Sequence, residues 1–152
     1  MRPPVVPPPR RNEADPATLA KELKADGRVV LHDLGFSESR PAVLPGSEPV
    51  VQAIADLLAR DPALKLHVVV HSDDTGSWNA NLDLTRKRAA AVTSMLARKF
   101  GVASARVQPA GVGPLAPIAS NATEEGRALN RRVELVLQGS SRAAGPAASA
   151  RR

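Results

Sequence analysis

Between His71 and Arg88 the chain reads HSDDTGSWNANLDLTRKR, with its acids and bases segregated. Asp73 and Asp74 stand near the start, and Arg86, Lys87 and Arg88 stand at the end. The preceding residues, KLHVVVH from Lys65 to His71, alternate in a way that predicts a strand. Leu66, Val68 and Val70 then face one side, and His67, Val69 and His71 the other. Asp73 to Ser77 is turn chemistry and predicts a loop. Thr85 predicts the N-cap of a helix reaching Lys99, with Ala89, Val92 and Leu96 on one face and Gly101 beyond its end. That assignment puts three cations in a first helical turn, where the macrodipole favours acids. A local rule broken in this way often marks function: either all three cations splay into solvent, or at least one reaches an anionic group, reinforced by the free N–H groups of the helix end. With carboxylates on one side of the loop and guanidinium groups on the other, the natural ligand is a zwitterion.

Other chemistries find less support. Asp74-Thr75-Gly76 matches the Asp-Thr-Gly of aspartic proteases, whose two carboxylates share a proton. Those enzymes are all-β, whereas this sequence predicts at least three helices, and Asp-Thr-Gly is also an ordinary turn. His67 and His71 are four apart, a spacing that aligns metal ligands on a helix and not on a strand, so no metal site is expected. The absence of cysteine removes thiol nucleophiles, disulfides and Cys-ligated metals. Gly111-Val112-Gly113 leads into prolines and not into a helix, so it makes no phosphate cradle. No cofactor is expected.

The elements that must position the block alternate along the chain. Asp15-Pro16 predicts the start of a short helix carrying Leu19 and Leu23 and stopped by Gly27. Arg28 to Leu34 has strand composition. A helix is predicted from Ser47 to about Arg60, with Val50, Ile54, Leu57 and Leu58 as its apolar stripe. Arg106 to Gln108 predicts a short strand limited by Pro109, and residues 111–120 a loop. Asn121 with Glu124 resembles a capping box for a short helix, and Arg131 to Gln138 alternates as a last strand with Val133, Leu135 and Leu137 inward. This order predicts a two-layer α/β sandwich, a sheet with helices packed on one face.

The chain has 152 residues, 43% of them hydrophobic, enough for one domain with a real core. Aromatics are 2%, so the core must be aliphatic, and base-stacking nucleic-acid recognition is not expected. The net charge of +6 equals the six arginines of the two ends, namely Arg2, Arg10, Arg11, Arg142, Arg151 and Arg152, and residues 13–138 are neutral. Residues 1–14, rich in proline, are expected to be a linker, and 139–152 a basic tail without regular structure, leaving 15–138 as the domain. No segment is apolar for long enough to span a membrane, and the first residues lack the apolar core of a secretory signal.

The block resembles the motif of the OmpA-like peptidoglycan-binding domain family, roughly G-H-T-D followed by N-x-x-L-S-x-x-R-A. Here it stands as Val70-His71-Ser72-Asp73, then Asn81, Leu84, Thr85, Arg88 and Ala89. A later family segment, Gly-x-Gly followed by E-G-R-A-x-N-R-R-V, stands as Gly111-Val112-Gly113 and Glu125 to Val133. The family's opening strand, helix and second strand match Arg28 to Val70 in order and length, so the resemblance covers about residues 28–138. The departures are Val70 for glycine, Ser72 for threonine, Thr85 for serine, Ala80 for an aromatic that walls the site, and Gly35-Phe36-Ser37-Glu38-Ser39 for an acidic pattern. Trp78 is a candidate replacement for the missing aromatic.

The resemblance implies an OmpA-like fold and a non-catalytic domain that grips the diaminopimelate of peptidoglycan stem peptides. It implies that Asp73 meets the ammonium and Arg88 the carboxylate, and that Asn81, Leu84 and Thr85 shape and hydrogen-bond the loop. Arg131 is a candidate for further charge near the ligand. A periplasmic or cell-envelope location, associated with the outer membrane, is implied with it, as is peptidoglycan for a partner. The competing expectation is a docking module of the same fold that does not bind the wall.

Overall fold

A computed structural model describes residues 15–139, so the two expected tails, Gly139 apart, lie outside the described residues. Helix α1 (Pro16–Asp26) starts where Asp15 accepts the Thr18 N–H, with proline at its first position, and ends at Gly27 in the left-handed region. Strand β1 (Arg28–Leu31) follows, and a 3-10 turn at Pro45–Ser47 leads into α2 (Glu48–Arg60). Then come β2 (Leu66–His71), α3 (Trp78–Phe100), β3 (Val107–Gly113), α4 (Glu124–Asn130) and β4 (Val133–Leu137). The strands form one mixed sheet in the order β1-β4-β2-β3, with β4 antiparallel to both neighbours and β2 parallel to β3.

Register explains the core. Leu135 lies opposite Val29 on one side and Val68 on the other, and Val133 opposite Leu31 and Val70. These residues and Leu66 share one sheet face with Val107, and all are buried. Onto that face pack Leu19 and Leu23 of α1, the stripe Val50, Ile54, Leu57 and Leu58 of α2, and Ala89, Val92 and Leu96 of α3. The expected two-layer architecture and its aliphatic core are present, with α1 to α3 in a single cluster. None of the described helices is long and apolar enough to cross a membrane.

Strand β1 ends at Leu31, short of the expected Leu34, and three further boundaries differ from expectation. First, α3 begins at Trp78, seven residues before the expected start. Ser77 caps it by accepting the Ala80 N–H at 3.0 Å, and Thr85 is a buried mid-helix residue. The polar run 78–84 is a helical surface, not loop, so Arg86, Lys87 and Arg88 do not stand in a first turn. The three cations therefore do not oppose the macrodipole at a helix start, and Lys87 simply pairs with Asp83 one turn earlier at 3.0 Å. Replacing Ser77 by alanine is expected to lower unfolding free energy by about 1 kcal/mol, the usual value of an N-cap. Urea melts would show no change if Ser77 were only a loop residue.

Second, β3 runs through Pro109 to Gly113 and is not limited by the proline. It is the last strand of the sheet, paired on one side only, and an edge strand tolerates a residue with no N–H. Third, the cap of α4 is Thr123, whose hydroxyl accepts the Gly126 N–H, and not Asn121. Asn121 instead accepts a hydrogen bond from Asn130, a fully buried side chain that also receives the Ile118 and Ala119 N–H groups. Asn130 thereby fastens the 118–121 loop against the end of α4.

Candidate functional site

Strand β2 delivers Asp73 two residues past its end, and α3 runs back across the same end of the sheet carrying Leu84 and Arg88. The approach of α3 to the sheet is set by glycine. A Cβ on Gly111 would lie 2.1 Å from the backbone nitrogen of Arg86. At the adjacent residue, the buried Thr85 hydroxyl accepts the Gly113 N–H at 3.0 Å and lies 2.9 Å from the Asn81 carbonyl, to which it donates. Asn81 donates its side-chain amide to the Thr75 carbonyl at 2.8 Å, tying the 73–77 loop to the first turn of α3.

Together these elements border a cleft of about 710 Å³. Asp73, Leu84, Arg88 and Arg131, four of the six residues singled out above, line it, with Phe36 and Glu124 among the others. Asn81 and Thr85 lie outside the lining and act on the cleft from behind. Val70, bulkier than the family glycine, is accommodated as a core residue with its edge on the cleft. The expectation about the aromatic wall is corrected. Neither Ala80 nor Trp78 lines the cleft, and Trp78 is half exposed at the start of α3.

The aromatic of the cleft is Phe36, over whose ring the Arg88 guanidinium sits at 5.1 Å from the centroid. Phe36 belongs to a loop folded on itself, in which it bridges Val43 and Ser37 N–H bonds the Ala42 carbonyl. Ser47, which does not cap α2, instead accepts the Gly35 N–H at 2.7 Å and so anchors this loop. Arg88 donates Nε to the Arg40 carbonyl at 3.0 Å and Nη2 to the Ser37 carbonyl at 3.2 Å. A guanidinium has five N–H groups. Three of those on Arg88 carry no acceptor among the described residues. Burial draws its pKa below the ordinary arginine value without discharging it.

Asp73 is nearly buried, and its two oxygens have different partners. Oδ1 accepts the Thr75 N–H at 2.9 Å, and Oδ2 accepts from Arg131 Nη1 at 2.6 Å. Burial alone would raise this carboxyl, but the Thr75 N–H and the Arg131 guanidinium outweigh it and hold the pKa below the usual carboxylate range. Arg131 also donates Nη2 to Glu124 Oε1 at 2.7 Å. Asp74, the acid of the Asp-Thr-Gly sequence, is exposed in the turn before Gly76.

His71 and Arg132, which also line the cleft, belong to a second charged group that the sequence did not single out. Glu134 is buried on the sheet face opposite the core, bonded to Arg132 Nε at 2.6 Å and to Arg28 Nη1 at 3.1 Å. His71 approaches it at 3.6 Å, beyond hydrogen-bond range, and neither ring nitrogen has a hydrogen-bond partner among the described residues. Burial first, and then the charge of Arg132, push the His71 pKa down to about 4. A histidine nearer 6.5 when unfolded binds its proton more readily in the unfolded chain over that interval. Stability is therefore expected to be level above pH 6.5 and to fall as pH drops towards 4. Denaturant midpoints measured across this range should show that slope, and His71→Gln should flatten it. An unchanged slope in the variant would place its origin elsewhere.

A family model described as the OmpA family matches residues 36–131, and the chain belongs to that family. It is a family of non-catalytic domains, which leaves no support for the aspartic-protease reading. Among curated relatives, a probable lipoprotein, YiaD, of Escherichia coli is 36% identical over 106 residues, 70% of this chain and 48% of that one. The peptidoglycan-binding protein ArfA of Mycobacterium tuberculosis is 36% identical over 104 residues, 68% of this chain and 32% of that one. The chain thus spans half or less of the length of these relatives. Among solved structures, the peptidoglycan-associated lipoprotein of Burkholderia pseudomallei superposes with a TM-score of 0.62 at 28% identity, covering 82% of this chain and all of that one. The cell wall anchor of the T6SS of Pseudomonas aeruginosa gives 0.61 at 28%, covering 85% and 96%.

Proposed function

We propose that this domain binds peptidoglycan and anchors its bearer to the cell wall by gripping the diaminopimelate of stem peptides, with no bond made or broken. The observation that carries the reading is the pairing of Asp73 with Arg88 across one cleft of about 710 Å³. The carboxylate is a partner for the ligand ammonium. The three unengaged N–H groups of Arg88 are a partner for a ligand carboxylate, since a guanidinium fork can take both oxygens at once. Leu84 supplies an apolar border to the cleft, and Arg131 holds Asp73 in place. The relatives point the same way, since one is described as peptidoglycan-binding and one solved neighbour as a cell wall anchor. A place in the cell envelope, facing the wall and associated with the outer membrane, accompanies this function.

Sedimentation with purified diaminopimelate-type sacculi tests it. The full chain should co-sediment and release no soluble muropeptides between acid and neutral pH. A chain that stays in the supernatant would favour a docking module of the same fold. Release of muropeptides, abolished by Asp73→Asn or Asp74→Asn, would revive a carboxylate mechanism.

A further inference from the structure

Asp73 does not face the cleft as an isolated anion. Arg131 bridges it to Glu124 through its two terminal nitrogens, at 2.6 and 2.7 Å, and the other Glu124 oxygen receives Arg127 Nε at 3.2 Å. Without Glu124, Asp73 would stand beside two guanidinium groups, Arg131 and Arg127, and an arriving ammonium would meet a net positive charge. The second carboxylate changes that balance. With Glu124 the two carboxylates balance Arg131 and Arg127, and Arg131 has a counterion to lean on when Asp73 turns to a ligand. Glu124 lies at the start of α4, Asp73 beyond β2 and Arg131 beyond the end of α4, so only the folded chain assembles the three.

We infer that Glu124 is a specificity-determining residue: through Arg131 it keeps the Asp73 side of the cleft from turning cationic and so favours a ligand bearing a free amine there. This rests on the reading of the cleft given under Proposed function. Glu124 borders the cleft, and its effect on the amine runs through Arg131, as that of a positioning residue. Its side chain is 64% exposed, so the effect should be modest and salt-sensitive.

The test compares two probes on the full chain by calorimetry: a diaminopimelate stem peptide with its side-chain amine free, and the same peptide with that amine acetylated. The wild type should prefer the free amine, and Glu124→Gln should shrink the preference about fivefold. In an Arg131→Gln background, Glu124→Gln should leave the preference unchanged, because the bridge it balances is gone. A wild-type preference that Glu124→Gln does not move would overturn this inference and leave the peptidoglycan reading intact. A Glu124→Gln effect of full size without Arg131 would overturn it equally. Failure of the wild type to bind either peptide would sink both.

Discussion

Asp73→Ala and Arg88→Ala should each weaken binding of a diaminopimelate stem peptide about 30- to 150-fold, roughly 2–3 kcal/mol. Each removes one half of the proposed zwitterion grip, leaving a ligand charge desolvated in the cleft without its partner. That costs more than a surface ion pair is worth. Asp73→Ala has a second consequence: it frees Arg131, now held at 2.6 Å, to pair with Glu124 alone. Arg88→Lys should lose most of the same affinity. An ammonium can reach one acceptor in place of the Ser37 and Arg40 carbonyls, but it cannot also present a fork to a carboxylate. Arg86→Ala and Lys87→Ala should change affinity little, since both side chains are exposed on α3 and neither lines the cleft. Equal losses at all three cations would instead describe a diffuse basic patch.

Gly111→Ala should be among the most damaging single changes in the domain, although it adds one methyl group. Its Cβ would meet the α3 backbone at 2.1 Å from Arg86 nitrogen and 2.3 Å from the Thr85 carbonyl carbon. No side-chain rotation relieves a contact with backbone, so the helix must move away from β3. That would break the Thr85 to Gly113 bond and shift Arg88 relative to Asp73. Overpacking usually costs 1–3 kcal/mol, and a backbone clash of this kind should reach about 3 kcal/mol or more, a fall of roughly 10–15 °C in Tm. Gly46→Ala, with open space around the new methyl, is the control and should stay within about 0.5 kcal/mol.

Much of the frame was readable from periodicity and punctuation. The Asp15-Pro16 start and Gly27 stop of α1, the stripe of α2 and the alternation of β2 and β4 are local signals, and each element forms where they predict. The errors arose where local signals compete with long-range ones. Thr85 has the chemistry of an N-cap, but its hydroxyl is used to join α3 to β3, a contact 28 residues away. Ser77 also has cap chemistry, and only the packing of α3 shows that it is the one used. Pro109 reads as a strand breaker unless β3 is known to be an edge.

The candidate site was half legible for the same reason. Asp73, Leu84, Arg88 and Arg131 lie in segments with recognisable spacing, and they do meet in one cleft. Phe36 has no such spacing, and the spacing of Glu124 from Asn121 reads only as a capping box. Phe36 gains its place under Arg88 from the bridge to Val43 and from the Ser47 anchor. Glu124 gains its place from the position of Arg131. The buried group of His71, Arg132 and Glu134 was hidden because alternation in β4 predicts an exposed glutamate. Instead, Arg132, which also donates to the Ala116 carbonyl, lies over that end of the sheet.

The central claim is that one cleft reads an ammonium and a carboxylate together. It is tested most directly by calorimetric titration of the full chain with a diaminopimelate stem peptide and with the lysine analogue that lacks the second carboxylate. The analogue leaves Asp73 its ammonium and deprives Arg88 of its partner. The diaminopimelate peptide should bind about 30-fold or more tightly than the analogue, and the gap should close in Arg88→Ala. Equal affinity for both peptides in the wild type would contradict the claim.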